Sequence, residues 1–467
     1  MAPLHRTKLA AMTHYATAHQ KALKETLCYR RCYLFLLLTA LSASKGYAAE
    51  LKASIYSETR STSNARLVAT NVKDDVIERI GVNLVLKEER KRFNADASLN
   101  FYQDFYLNNT YSDQTQLTTG FGLFNFDIVE DFLDWRTSFT RTQVLNDTTA
   151  TDTPDNRNER NTFRTGPTIN YRINRASTLR MGTNYVQVEN SDEISADTKR
   201  VNANTSYIYQ YNSITDFSLN GAYDQILESD QGGTLPLNDD KIKNMTLNIG
   251  MNRQFSRGSF SINAGQNQVY SDTRDTIRGN FFDVLFQREQ ILFHDLQVQY
   301  SESISDSSIG FGSIERLIAA NPSLGDGNQL FETTTPLDII KQKRADISIN
   351  RNIDSYQYNL SIFWNNLDYD LQLNDERSTG LTFNLRRQIQ EGLTVGLTYQ
   401  QVKQVLFDRP GDGDNDTQTY TIDSAYRWTK DFSTNGFIAY NVRKNNKNAL
   451  REYEDFSVGV TLKWDLY

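Results

Sequence analysis

The chain has 467 residues, of which 38% are hydrophobic and 23% charged, with 24 Gly and 7 Pro; these proportions exclude collagen, a coiled coil and a low-complexity tail. The mean hydropathy of −0.59 excludes a bundle of membrane helices, while 25 Tyr, 25 Phe and 4 Trp supply more buriable ring surface than a disordered chain carries. A polar yet aromatic-rich chain of this kind suits a transmembrane β-barrel, whose lumen and loops are wet and whose lipid face is a narrow apolar band flanked by rings.

In chain order, the first element is a leader. Arg30 and Arg31 precede an apolar run from Cys32 to Leu41, and Gly46-Tyr47-Ala48 gives the small-x-small pattern of signal-peptide cleavage. The run is too short to span a bilayer as a helix. Residues 1–48 are therefore expected to be removed. The long basic stretch ahead of Arg30 leaves Met12 as an alternative start and a mitochondrial presequence as the competing reading.

What remains, 49–467, holds 43 basic and 56 acidic residues, a net charge of −13. So acidic a chain offers no basic footprint for nucleic acid. Both cysteines, Cys28 and Cys32, leave with the leader, which removes disulfides, thiol nucleophiles and thiolate metal sites from the mature protein.

Strict alternation of apolar and polar residues then recurs along the chain. Phe93, Ala95, Ala97, Leu99 and Phe101 interleave with Asn94, Asp96, Ser98 and Asn100, so Leu99 is expected to meet lipid and Asn100 water. Ile169, Tyr171 and Ile173 alternate with Arg164, Thr168, Asn170 and Arg172, and Met245, Leu247, Ile249 and Met251 with Asn244, Thr246, Asn248, Gly250 and Asn252. Tyr356, Tyr358, Leu360, Ile362 and Trp364 form a fourth such set. Pro167 falls inside one of these segments and, with no edge strand to hold it, calls for a bulge.

A soluble sandwich gives the same alternation, so the connections decide. Short joints near Glu88–Arg90, Glu130-Asp131, Asn174-Arg175, Tyr211-Asn212, Ser256-Arg257, Arg288-Glu289, Ile353-Asp354, Gln390-Glu391 and Lys430-Asp431 are separated by longer polar stretches. Short periplasmic turns and long external loops are what an outer-membrane barrel of a Gram-negative cell requires. With Leu51–Arg60 first and Phe456–Tyr467 last, the count is 20 antiparallel up-and-down strands, 18 being the alternative. The even number leaves both termini periplasmic. No residues remain for a plug domain, which weighs against a TonB-dependent transporter.

The longest connection, 303–341, contains Ser313–Asn321, a short helix stopped by Pro322; it either folds into the lumen or stands outside as a lid. The final segment places Phe456, Val458, Val460, Leu462 and Trp464 on one face, with Tyr467 on the other. It resembles the assembly signal by which barrel assembly machinery recognises outer-membrane proteins, with Trp464 or Tyr467 as the aromatic anchor.

For chemistry the sequence offers little. Only His294 survives removal of the leader, on a face with Leu292, Leu296, Val298 and Tyr300, where a structural role is expected; no catalytic site, cofactor or metal is assigned. Asp412, Asp414 and Asp416 have the opening spacing of a calcium loop, with Asp423 at the twelfth position. Thr417, however, stands where the sharp turn needs Gly, and a solvated loop is the other reading. The expected lumen residues are Arg164, Arg172, Asn202, Asn204, Asn248 and Asn252, an amide-rich set suited to hydrogen bonding a saccharide, although any water-filled barrel needs a polar lining.

Tyr56-Ser57-Glu58, Asn64, the Asp74-Asp75 pair, the Phe93–Tyr102 strand and Tyr453-Glu454 together resemble a family of outer-membrane β-barrels associated with exopolysaccharide and PEP-CTERM systems, related to porin-like barrels. The resemblance implies an outer-membrane location and a part in polysaccharide export at the cell surface. Lipid, lipopolysaccharide and export proteins would then be the partners. A structural or adhesive barrel that binds a glycan or partner through its loops is the alternative.

Overall fold

The computed structural model describes residues 50–147, 150–191, 195–230, 241–272, 274–291, 294–307, 337–371, 375–407 and 413–466, which, Glu50 apart, belong to one compact unit. The expected leader and the Ser313–Asn321 segment lie outside the described residues.

Twenty strands follow one another. They are β1 (Glu50–Thr62), β2 (Asp75–Arg90), β3 (Phe93–Tyr106), β4 (Gln114–Val129), β5 (Leu133–Leu145), β6 (Arg157–Arg172) and β7 (Ser177–Asn190). Next come β8 (Asp197–Asn212), β9 (Thr215–Asp230), β10 (Lys243–Phe255), β11 (Gly258–Tyr270), β12 (Ile277–Ile291), β13 (His294–Asp306) and β14 (Ile339–Ile353). The last are β15 (Tyr356–Tyr369), β16 (Glu376–Gln390), β17 (Leu393–Leu406), β18 (Asn415–Arg427), β19 (Phe432–Asn445) and β20 (Tyr453–Asp465).

Each strand pairs antiparallel with its neighbours in sequence, and β1 pairs with β20 from Ser54↔Asp465 to Thr62↔Ser457, so the sheet closes into a barrel. Closure has a physical cause. A sheet with one apolar face enters hydrocarbon only if no edge leaves backbone N–H and C=O groups without partners. The outward face is set by the alternation: Phe456, Val458, Val460, Leu462 and Trp464 are all exposed, as are Met245, Leu247 and Ile249.

The connections keep the expected rhythm. Those after even-numbered strands have two to four residues, and those after odd-numbered strands have six to 32. At the β16–β17 turn Gly392 has φ +81°, the left-handed geometry that lets a two-residue hairpin follow the twist of its strands.

Three local expectations are corrected. The joint placed at Arg288-Glu289 lies further on, because β12 continues to Ile291 with a register shift between Arg288 and Ile291 and Gln290 at φ +58°. Pro167 causes no bulge: the β6–β7 register is unchanged on either side, and the ladder omits the pairs at Gly166 and Pro167. There the missing N–H faces β7, and Gly166 lets the strands approach so closely that a Cβ would lie 1.9 Å from the Thr183 carbonyl oxygen. The loop expected over 303–341 is shorter, since β13 runs to Asp306 and β14 begins at Ile339.

Candidate functional site

The strands have 13 to 16 residues, more than the 9–11 that a tilted strand needs to cross a bilayer. The excess at the long-loop end is where the barrel wall divides. Pairing of β12 with β13 ends at Phe282↔Glu302, whereas β13 and β14 remain paired to Asp306↔Ile339. The freed end of β13 swings over the inner faces of β12, β11 and β10. A Cβ on Gly279 of β12 would come within 2.5 Å of Ile304 Cδ1. The Ile304 amide donates to Asn267 Oδ1 at 3.0 Å, and Asn244 Nδ2 donates to the Ile304 carbonyl at 3.2 Å.

Two arginines fasten this inward hairpin. Arg200 of β8, completely buried, donates from Nη1 and Nη2 to the two oxygens of Asp306, each at 2.9 Å, and from Nη1 to Asp224 Oδ1 at 2.9 Å. Arg274, in the β11–β12 loop, pairs with Asp338 at 3.0 Å and Asp370 at 3.5 Å. Beside them Ala196, Ile226, Ile242, Val269, Ile304, Leu337 and Ile339 make a hydrophobic core. In a barrel whose outer surface is apolar, this is a core on the inside, formed where one wall leans onto another.

The β5–β6 hairpin does the same on another side. Its pairing with β4 ends at Gly120↔Arg141, while β5 and β6 stay paired to Leu145↔Arg157. The consecutive residues Val144 and Leu145 are both buried, so both faces of the strand are covered. The loop beyond reaches β19, where Arg443 Nη1 donates to the Ala150 carbonyl at 2.9 Å. Arg157 and Asp152 pair at 2.7 Å beneath it. Burial holds the phenol of Tyr111, in the neighbouring β3–β4 loop, above its usual pKa, against a hydrogen bond with Thr153 that works in the other direction. The long-loop end of the barrel is thus narrowed by two inward-folded hairpins.

All six residues expected to line the lumen lie on the face opposite the exposed apolar residues. They fall into two groups. Asn202, Asn204, Asn248 and Asn252 stand on β8 and β10 within a run of amide contacts: Asn220 bridges Asn248 Oδ1 and Ser218 at 2.9 Å each, Asn202 donates to Asp224 at 3.5 Å, and Asn252 donates to Asp216 at 3.4 Å. Arg164 and Arg172 stand apart on β6. Sequence reasoning missed Arg200, which shares the phase of Asn202 and Asn204, and also missed its partner Asp306.

The calcium arrangement is overturned. Asp412 lies outside the described residues; Asp416 and Asp423 both belong to β18, seven residues apart and on opposite faces, so they do not converge on one ion. Asp416 instead accepts from Gln401 Nε2 at 2.8 Å. No cluster of three potential metal ligands occurs among the described residues. His294 lies at the short-turn end, where the Tyr358 hydroxyl is 2.6 Å from Nδ1. Trp464 faces outward beside Phe432, with ring centroids 6.0 Å apart, and Tyr467 lies outside the described residues.

No protein-family model and no curated protein matches the chain. Among solved structures, the siderophore receptor PirA from Acinetobacter baumannii is similar at TM-score 0.51 and 8% identity, over 90% of this chain and 81% of that one. The siderophore receptor PirA from Pseudomonas aeruginosa (TM-score 0.45, 12% identity, 90% and 81% covered) and the FrpB iron transporter from Neisseria meningitidis (0.44, 11%, 88% and 81%) also match. At such identities the likeness is one of fold, a closed barrel of the outer-membrane type. Among the described residues, no separate domain fills the lumen.

Proposed function

We propose that the protein is a porin-like outer-membrane channel for hydrophilic solutes of the saccharide kind, acting in exopolysaccharide export at the cell surface, with both termini in the periplasm. The observation that carries the reading is the amide-lined inner wall of β8–β11, where Asn202, Asn204, Asn220, Asn248 and Asn252 present donors and acceptors side by side. A row of amides exchanges hydrogen bonds with sugar hydroxyls without the desolvation cost that fixed charges impose. The inward hairpins narrow the path at its outer end. The reading contains no catalytic step and no cofactor.

Purified protein in planar bilayers should give discrete conductance steps, and electrical silence over a wide voltage range would reject a channel. Loops pinned to the barrel mouth by Arg274 and Arg443 also suit a glycan-binding surface. That reading gains if proteolytic shaving of the loops abolishes glycan binding in a protein that never conducts.

A further inference from the structure

The inner wall of β5–β7 differs from the rest of the lumen. Its register sets Arg136 of β5 opposite Gly166, Arg180 of β7 opposite Asn170, and Arg172 opposite Thr178, with Arg164 two residues further along β6 from Gly166. Arg160 continues the row toward the narrowed mouth. All five share one face, and the only carboxylate on that face of the three strands is Asp134. From Arg172 to Arg160 the row covers roughly 40 Å of strand at about 3.4 Å per residue.

The wall ten strands away provides the contrast. On the inner face of β15–β17 one acid, Glu376, and one base, Arg386, stand among Gln, Asn, Ser and Thr. Arg136 and Arg172 are exposed and have no ion pair among the described residues, and Arg180 donates to an amide, Asn170 Oδ1, at 2.8 Å. In a chain that is acidic overall, these three guanidinium groups place positive potential along one side of the path.

Resting on the channel reading above, we propose that β5–β7 form an anion track and that the solute is an acidic saccharide. Its carboxylates step along Arg172, Arg180 and Arg136 while its hydroxyls meet the amides of β8–β11. Guanidinium groups suit the task because their planar fork donates two parallel hydrogen bonds to a carboxylate.

Two measurements test this, and one of them needs no conductance. In bilayers under a potassium chloride gradient, the reversal potential should show preference for chloride. The triple variant Arg136→Gln, Arg172→Gln, Arg180→Gln should bring the selectivity close to unity, while Arg386→Gln on the opposite wall leaves it unchanged. In detergent, trigalacturonate should bind the unmodified protein at least tenfold more tightly than neutral maltotriose, and the triple variant should lose that margin, as expected for charge-assisted contacts. Steps without anion preference, or equal binding of the two sugars, would overturn the anion track and leave the channel standing. Silence in bilayers together with selective trigalacturonate binding would reject the channel and keep the track.

Discussion

At the scale of single residues the determining quantity is which of two solvents a side chain meets. Ile249 is 67% exposed near the middle of β10, while its neighbour Asn248 accepts a hydrogen bond from Asn220 on the inner wall. In water neither placement would matter much; in a bilayer the two positions are not equivalent. Ile249→Arg should cost about 2–4 kcal/mol of folding stability in lipid vesicles, the charge having no water at mid-depth. Asn248→Lys, facing an aqueous lumen, should stay within about 1 kcal/mol, the loss of one neutral hydrogen bond. Equal effects in denaturant titrations of the refolded protein would reverse the facing of β10. Alternation also explains why so much was legible at this scale: a β-strand turns successive side chains to opposite faces, so Met245 to Asn252 declare their sides in the sequence itself.

At the scale of elements the same rule fails in one informative place. Leu296, Val298, Tyr300 and Glu302 lie on the outward phase of β13, and Ile304 and Asp306 continue it without a break, yet both are buried inside the barrel. Phase records which side of the strand a residue occupies, not where the strand goes. Once β13 leaves β12 after Glu302, its outward side faces the opposing inner wall. The buried cluster of Arg200, Asp224 and Asp306 holds it there, and such a cluster is stable only while complete. Arg200→Ala leaves two carboxylates in a buried place without their cation, a loss of about 3–5 kcal/mol by the general cost of breaking a buried ion pair. That loss should appear first as undocking of the hairpin. Hydrogen exchange at the Ile304 amide should accelerate strongly, while the centre of β20 keeps its protection. Uniform loss of protection around the barrel would instead make Arg200 part of the global fold. Nothing in the sequence signals this contact, because its partners are 106 residues apart, Arg200 looks like any lumen-facing charge and Asp306 stands on the outward phase of its strand.

At the scale of the whole molecule, stability depends on the absence of an edge. Alternating loop lengths and an even strand count were visible in the sequence because they follow from two ends facing two compartments; the inward hairpins were not, since they depend on contacts across the lumen. The seam between β1 and β20 has nine consecutive pairs, with Val460 opposite Thr59 on one side and Gly436 on the other. Proline at this position removes one backbone donor and strains its ring against the ladder, in a medium where an orphaned carbonyl costs several kcal/mol. Val460→Pro should therefore prevent insertion into vesicles, read as loss of the compact, heat-modifiable band on gels run without boiling. The same change at exposed Ser112, in the β3–β4 loop, removes no strand pairing and should leave that band intact. If both variants fold equally well, the β1–β20 pairing does not close the barrel, and a sheet with two free edges must be satisfied in some other way, such as pairing with a second copy of the chain.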